Sequence, residues 1–290
     1  MTESKHHGGA LLDSAAQLFG RINTQLGAGL GLVSPDGTRR QHTPTPTLVV
    51  VAHGSRDPRT PATVRRLLDV VRALRPGLPV RLGHIELNAP LLGDTLDDLT
   101  SEPERPAVLV PLLLGRGHHV KRDLPAAAAA CRLDIRVAAP LGPHPLLVEA
   151  LHERLTESGW PAGAEFRRSA GVVLAAAGSR DPDGRTDTER TAGALAARLG
   201  VPVRAAYASA AGPSVSSAIR TLAARGRGRV AVASYFTAPG RFAAQAAEAA
   251  PWIVSAPLGA HPAVARLLLD HYDTTAARPA APASLSRSGV

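Results

Sequence analysis

The chain repeats itself, and the repeat constrains its fold more than any other feature. Val51-Ala-His-Gly-Ser-Arg-Asp-Pro58 is answered by Ala175-Ala-Ala-Gly-Ser-Arg-Asp-Pro182, an offset of 124. Ala139-Pro-Leu-Gly-Pro-His-Pro145 is answered by Ala256-Pro-Leu-Gly-Ala-His-Pro262 at 117, and Glu86-Leu-Asn-Ala-Pro90 lies opposite Ser209-Ala-Ala-Gly-Pro213 at 123. Blocks recurring in one order at similar offsets mean two copies of one unit. Within each copy, short apolar runs alternate with longer helical patterns. Strands are predicted at 47–53, 79–87, 106–113 and 134–139, then near 171–177, 201–207, 229–236 and 251–255. Helices are predicted at 60–75, 90–99, 118–131 and 144–157, then near 186–199, 213–225, 240–249 and 261–271. Such alternation implies parallel sheets with helices on both faces. The expected architecture is α/β: two tandem halves, each a four-stranded parallel sheet in the order 2-1-3-4, with a cleft between them. The halves are drawn at 47–159 and 160–272, with a flexible extension at 1–46 and a flexible tail at 273–290. Leu11, Ala15, Leu18 and Ile22 give the extension an amphipathic helical stretch.

Composition removes several classes of function. Cys131 is the one cysteine, which excludes a disulfide scaffold and a cysteine-cluster zinc site. No apolar run reaches the roughly 18 residues of a membrane span, and no secretory signal is evident, so a cytoplasmic protein is expected. The net charge of +9 is concentrated in the second half, where 13 basic and 7 acidic residues leave +6. Lys5 and Lys121 are the only lysines, and aromatics are 3% of the chain. Base stacking therefore has little to work with, and the charge suits a polycarboxylate ligand better than nucleic acid. There is no Gly-x-x-x-x-Gly-Lys-Ser/Thr loop for ATP.

The two copies separate scaffold from chemistry. Gly-Ser-Arg-Asp-Pro survives in both, as a tight strand-to-helix turn would, although its amides are also placed to hold a carboxylate. The chemically equipped residues do not survive. His53 becomes Ala177, Glu86 becomes Ser209, His118 becomes Arg241 and His119 becomes Phe242. His53, Glu86 and His118 all fall at carboxyl ends of predicted strands, where open parallel sheets bind ligands. Two imidazoles and a carboxylate there suit a borderline divalent metal or proton removal near neutral pH. Hydrogen-bonding loop residues are the alternative, and both readings stay open on spacing alone. His84 and His119 are weaker candidates with structural roles expected. His144 and His261 recur in both copies and are expected to cap or pack helix starts.

Ala52-His-Gly-Ser-Arg-Asp-Pro58, Glu86 before Ala89-Pro90, Val110-Pro-Leu-Leu-Leu-Gly-Arg-Gly-His-His-Val-Lys-Arg-Asp-Leu124 and Pro140-Leu-Gly-Pro-His-Pro145 together resemble the sirohydrochlorin chelatases of the CbiX/SirB group, the class II tetrapyrrole chelatases. The resemblance runs from about 47 to 272, and Arg116 within the Gly-x-Gly-His segment departs from the pattern. It implies two flavodoxin-like halves with the working histidines in the first. The implied reaction is ATP-independent insertion of Fe²⁺, or alternatively Co²⁺, into sirohydrochlorin with loss of two pyrrole protons, for siroheme or cobalamin biosynthesis. The metal is then a substrate, and no permanently bound cofactor is expected. His53 and His118 become the metal-binding pair and Glu86 the acidic partner, as ligand or proton relay. Ser55, Arg56, Lys121, Arg122, Arg180 and Arg241 are the residues expected to meet the carboxylates of sirohydrochlorin. A monomer with one site, bound to neither nucleic acid nor membrane, is expected. The rival readings are a cobalt-specific chelatase and a non-catalytic carrier of tetrapyrrole or metal.

Overall fold

The structure is a computed structural model in which residues 44–101, 105–161, 163, 165–209 and 212–278 are described. The amphipathic stretch at 11–22 and most of the expected tail lie outside the described residues. The chain divides into Met1–Pro44 and Thr45–Val290, and everything below concerns the second unit.

In the first half, β1 (Thr47–Ala52), β2 (Val80–His84), β3 (Ala107–Pro111) and β4 (Ile135–Val137) alternate with α1 (Arg59–Leu74), α2 (Leu92–Thr100), α3 (Leu124–Ala130) and α4 (Pro145–Glu157). A π-helical turn, His119–Asp123, leads into α3. The second half holds β5 (Ala170–Ala176), β6 (Val203–Tyr207) and β7 (Arg229–Tyr235), with α5 (Pro182–Leu199), α6 (Val215–Ala223), α7 (Arg241–Glu248) and α8 (Pro262–Ala276). All strand pairs are parallel, in the orders β2-β1-β3-β4 and β6-β5-β7. The fourth strand expected near 251–255 is reduced to a bridge between Val232 and Val254. Two ladder bonds form, Val232 N to Ile253 O at 2.8 Å and Ser255 N to Val232 O at 2.9 Å. Pro251 and Pro257, which have no N–H to donate, bracket the segment and keep it short.

Strand periodicity explains the layers. Leu48, Val50 and Ala52 face one core with Val172, Leu174 and Ala176, whereas Val49 and Val51 face α2 and α3, and Val173 and Ala175 face α6 and α7. The shared core is filled by α1, α4, α5 and α8, so the order is helices, sheet, helices, sheet, helices. Within this layer the closing helices cross over: α4 packs on α5 and β7, and α8 packs on α1 and β3. Each half is thus completed by its sister's neighbourhood. Leu151 and Leu268 are fully buried there, and truncating either to Ala costs about 2–5 kcal/mol. The helix α8 continues past 272 because its last turn is held: Asp273 pairs with Arg75, Thr275 is buried, and Arg136 donates to the carbonyls of Ala276 and Arg278. His144 and His261 cap α4 and α8, their Nδ1 atoms accepting from Leu146 N at 3.2 Å and Ala263 N at 3.1 Å.

Candidate functional site

The carboxyl ends of β1, β2 and β3 open on one edge of the first sheet. The β1–β2 ladder runs on past the strands, with Ile85 N to Ala52 O at 2.9 Å and Glu86 N to His53 O at 3.0 Å. This sets Glu86 beside His53, Oε1 to Nδ1 3.5 Å, with both side chains about half exposed. The crossing requires a glycine at 54: its φ is +101°, and a Cβ there would lie 1.8 Å from the Glu86 carbonyl oxygen. Beyond it, Asn88 Oδ1 accepts from Ser55 N at 2.7 Å, and Ser55 Oγ accepts from Asp57 N at 3.1 Å. Asp57 in turn accepts from the Arg59 side chain, which lowers its pKa to about 2. The second copy builds the same turn. Ser209 N bonds Ala177 O at 3.0 Å, Ser179 Oγ accepts from Asp181 N at 3.1 Å, and Gly178 has φ +95°. One turn with and without imidazoles marks Gly-Ser-Arg-Asp-Pro as scaffold and His53 as the addition.

The π-helical turn after β3 decides where the other histidines go. It brings Asp123 back on His119, Nδ1 to Oδ2 2.6 Å, and within 3.4 Å of His118 Nε2. The His119 ring meets His53 edge-on, centroids 4.9 Å apart, while His118 is 73% exposed with its ring 6.3 Å from that of His119. Glu86, His53, His119 and Asp123 therefore form a continuous row, and His118 branches from it. The sequence-derived set of His53, Glu86 and His118 is not gathered into one cluster, and among the described residues no three His, Cys, Asp or Glu side chains are placed to enclose a metal. With Asp123 accepting from Nδ1, Nε2 is the His119 nitrogen left to hold a metal. Sequence reasoning missed Asp123 and gave His119 a structural role. The signal was present: a carboxylate four residues after an imidazole lies on the same face of a helical turn. His84, by contrast, is buried with Nδ1 3.1 Å from Pro90 O, and burial holds its pKa down.

A cleft of about 490 Å³ adjoins this row, lined by His118, Lys121 and Arg122 from the first half and Ser179, Arg180 and Asp181 from the second. Lys121 is already committed: its Nζ lies 2.6 Å from Asp181 and 2.9 Å from Asp183. That contact raises the Lys121 pKa and lowers that of Asp181. Arg122 and Arg180 have no ion-pair partner among the described residues. Arg56 is exposed on the first turn. Arg241 opens α7 outside the cleft lining, its guanidinium 4.9 Å from the centre of the Phe242 ring, just after Gly240, which lies against Ser55. Arg116, in the loop before His118, grips Asp187 on α5, with Nε to Oδ2 at 2.9 Å and Nη2 to Oδ1 at 2.7 Å.

The chain is similar to several characterised proteins. A sirohydrochlorin cobaltochelatase of Priestia megaterium is 23% identical over 197 residues, 66% of this chain and 63% of that one. A sirohydrochlorin ferrochelatase of Bacillus subtilis is 27% identical over 174 residues, 58% and 64% of the two chains. The chain spans about half to two thirds of the length of the curated relatives it matches first. Among solved structures, SirB from Bacillus subtilis with Fe³⁺ superposes with a TM-score of 0.63 at 22% identity, over 80% of this chain and 96% of that one, which establishes a shared fold. The CbiX family model matches residues 47–158 and 171–275, the two copies of the repeat. The chain belongs to the CbiX family.

Proposed function

We propose that the protein inserts a divalent metal, Fe²⁺ or Co²⁺, into sirohydrochlorin without ATP, as a lyase of siroheme or cobalamin biosynthesis. The observation that carries this reading is the row Glu86–His53–His119–Asp123 at the carboxyl edge of the first sheet, absent from the second. Its geometry favours His119 beside His53 as the imidazole pair that receives the ion, each backed by a carboxylate that keeps the ring oriented. His118 stands at the mouth, where it can pass the ion inward from the cleft. Metallation releases two pyrrole protons, and His53 with Glu86 is the half-exposed pair suited to accept and relay them. The metal is a substrate here, and the chemistry needs no resident cofactor.

Arg122 and Arg180, one from each half and without an ion-pair partner among the described residues, are assigned to the substrate carboxylates. Arg56, Arg241 and Ser55 flank the neighbouring turn as further contacts. Lys121 acts mainly in holding the halves together, since its charge is neutralised by Asp181 and Asp183. Because one chain supplies both walls, we assign a monomer with one site, drawn as a working half at 47–159 and a supporting half at 160–272. The chain acts in the cytoplasm, and no described helix is long and apolar enough to cross a membrane. Relatives carry both cobalt and iron names, and a His/His/carboxylate set favours neither ion by softness. The test is direct: purified protein is mixed with sirohydrochlorin and Co²⁺ or Fe²⁺ under anaerobic conditions, and the change in the macrocycle's visible spectrum is followed against the uncatalysed rate. No acceleration with either ion, together with tight retention of the macrocycle, would identify a carrier instead.

A further inference from the structure

The loop that delivers His118 and His119 is held by the other half of the molecule. Asp187, on α5, is 1% exposed and takes three bonds from one residue of that loop: Arg116 N at 3.1 Å, Nε at 2.9 Å and Nη2 at 2.7 Å. Arg116 Nη1 also lies 3.4 Å from Asp183. Two residues earlier, the Leu114 carbonyl accepts from Tyr235 Oη at 3.2 Å, from the end of β7. Gly184 presses on the same segment, since a Cβ there would stand 2.4 Å from Arg116 O.

The repeat supplies an internal control. Six residues past the Asp of each turn stand Thr63 and Asp187. Leu112, one residue past the Val51–Pro111 pair, stands where Tyr235 pairs with Ala176 in the second half, so Pro239 occupies the place of Arg116. The mirrored loop is reached from the first half by a hydrogen bond of Thr60 Oγ1 to Pro239 O at 2.7 Å and by Ser55 against Gly240, and among the described residues no ion pair joins it. The charged clamp exists on the side that has imidazoles and is missing on the side that lost them. A clamp serving only to join the halves has no reason to follow the histidines.

We propose that Asp187, acting through Arg116, is a positioning residue that fixes the histidine loop against His53, so that the second half completes the metal site without contributing a ligand. A bidentate guanidinium–carboxylate pair with an added backbone bond fixes orientation as well as distance. Groups that orient a metal ligand typically change metal affinity or activity by about 10–100-fold when removed, and Asp187 does so through the loop backbone, Arg116 standing three residues before His119.

The inference rests on the site reading above, and one experiment separates the two. Co²⁺ is titrated into the full-length protein without macrocycle, with the histidine ring signals followed by NMR, for wild type, Asp187→Asn, Asp187→Ala and Arg116→Lys. Steady-state kcat and KM for sirohydrochlorin and the thermal midpoint are measured on the same samples. Asp187→Asn and Arg116→Lys should bind Co²⁺ about 10–100-fold more weakly and lose kcat in parallel, with KM for the macrocycle within about twofold. Should Asp187→Ala fail to fold, the near-isosteric Asn and Lys variants carry the test. A purely structural contact would lower the thermal midpoint while leaving the Co²⁺ affinity of the folded protein intact, and that result would overturn the proposal. If wild type itself shows no Co²⁺-dependent change at His53 and His119, the site reading fails, and the positioning role with it.

Discussion

Alanine at position 54 and alanine at position 178 should have different consequences, although the two glycines occupy the same turn of the repeat. Their backbones are nearly identical, φ +101° and +95°, so each substitution carries a positive-φ cost of about 1–3 kcal/mol. The new methyl groups then meet different neighbours. At 178 the nearest atom is Ser209 Oγ at 2.2 Å, the end of a rotatable side chain, with Tyr207 Cβ next at 3.2 Å. At 54 it is the Glu86 carbonyl oxygen at 1.8 Å and then the carbonyl carbon at 2.9 Å, and backbone cannot rotate aside. Reaching ordinary contact requires the Glu86 peptide to retreat by about 1.5 Å, carrying the Glu86 side chain away from His53. Misplacement of about 1 Å at a reacting centre costs on the order of 100-fold in rate. Gly178→Ala should therefore lower the thermal midpoint by several degrees with near-normal metallation, whereas Gly54→Ala should lose more stability and about 100-fold in initial rate. Calorimetry and the spectroscopic insertion assay on matched samples check this. Equal midpoints and equal rates for the two variants would refute the account of the β1–β2 crossing.

Other expectations follow from the same geometry. Arg122→Ala and Arg180→Ala should each raise KM for sirohydrochlorin by about tenfold or more, the worth of one charged hydrogen bond, with little change in Co²⁺ affinity measured by titration. The fragment 45–159 should fail to fold as a monomer, because α8 and its buried Leu267 and Leu268 are missing from the shared core; circular dichroism and NMR dispersion report this. Acid should loosen the clamp between the halves. Burial pushes the Asp187 carboxyl up, but the Arg116 bonds outweigh it and hold its pKa below the ordinary 3.8. A carboxylate whose pKa is lower folded than unfolded contributes stability above the unfolded value and loses it as pH falls through the folded one. Asp187→Asn should accordingly flatten the decline in unfolding free energy below about pH 4, measured by denaturant titration.

The sheets were legible because a parallel strand buried on both faces leaves a short apolar run, and because the runs recur in the same order at similar offsets. The carboxyl-edge position of His53 and Glu86 followed from that, whereas the strand order also rested on the right-handed crossovers general to open parallel sheets. Side-chain direction inside an irregular turn did not. Adjacent His118 and His119 lie equally close to the end of β3 in the sequence, and the π-helical geometry of 119–123 turns His119 onto His53 while His118 stays exposed along the cleft. The His119–Asp123 spacing was the available clue. The exchange of α4 and α8 was hidden for a different reason: an apolar helix face records that something covers it, not which sheet does. Arg116 looked like a local departure from the family pattern, since its partner lies 71 residues away on another helix. The missing fourth strand of the second sheet depended on Pro251 and Pro257, whose effect on ladder length the apolar run Ile253–Val254 concealed.

On the proposed mechanism, His53 and His119 together deliver the metal to the macrocycle. The direct measurement is the single-turnover rate of Co²⁺ insertion into sirohydrochlorin by wild type, His53→Ala, His119→Ala and His118→Ala, each shown to keep its thermal midpoint. Rate losses of about 10²–10⁴-fold are expected for His53→Ala and His119→Ala, the scale of losing a group that carries protons or metal in the reacting step, with a clearly smaller loss for His118→Ala. Near-normal rates in both His53→Ala and His119→Ala would contradict it.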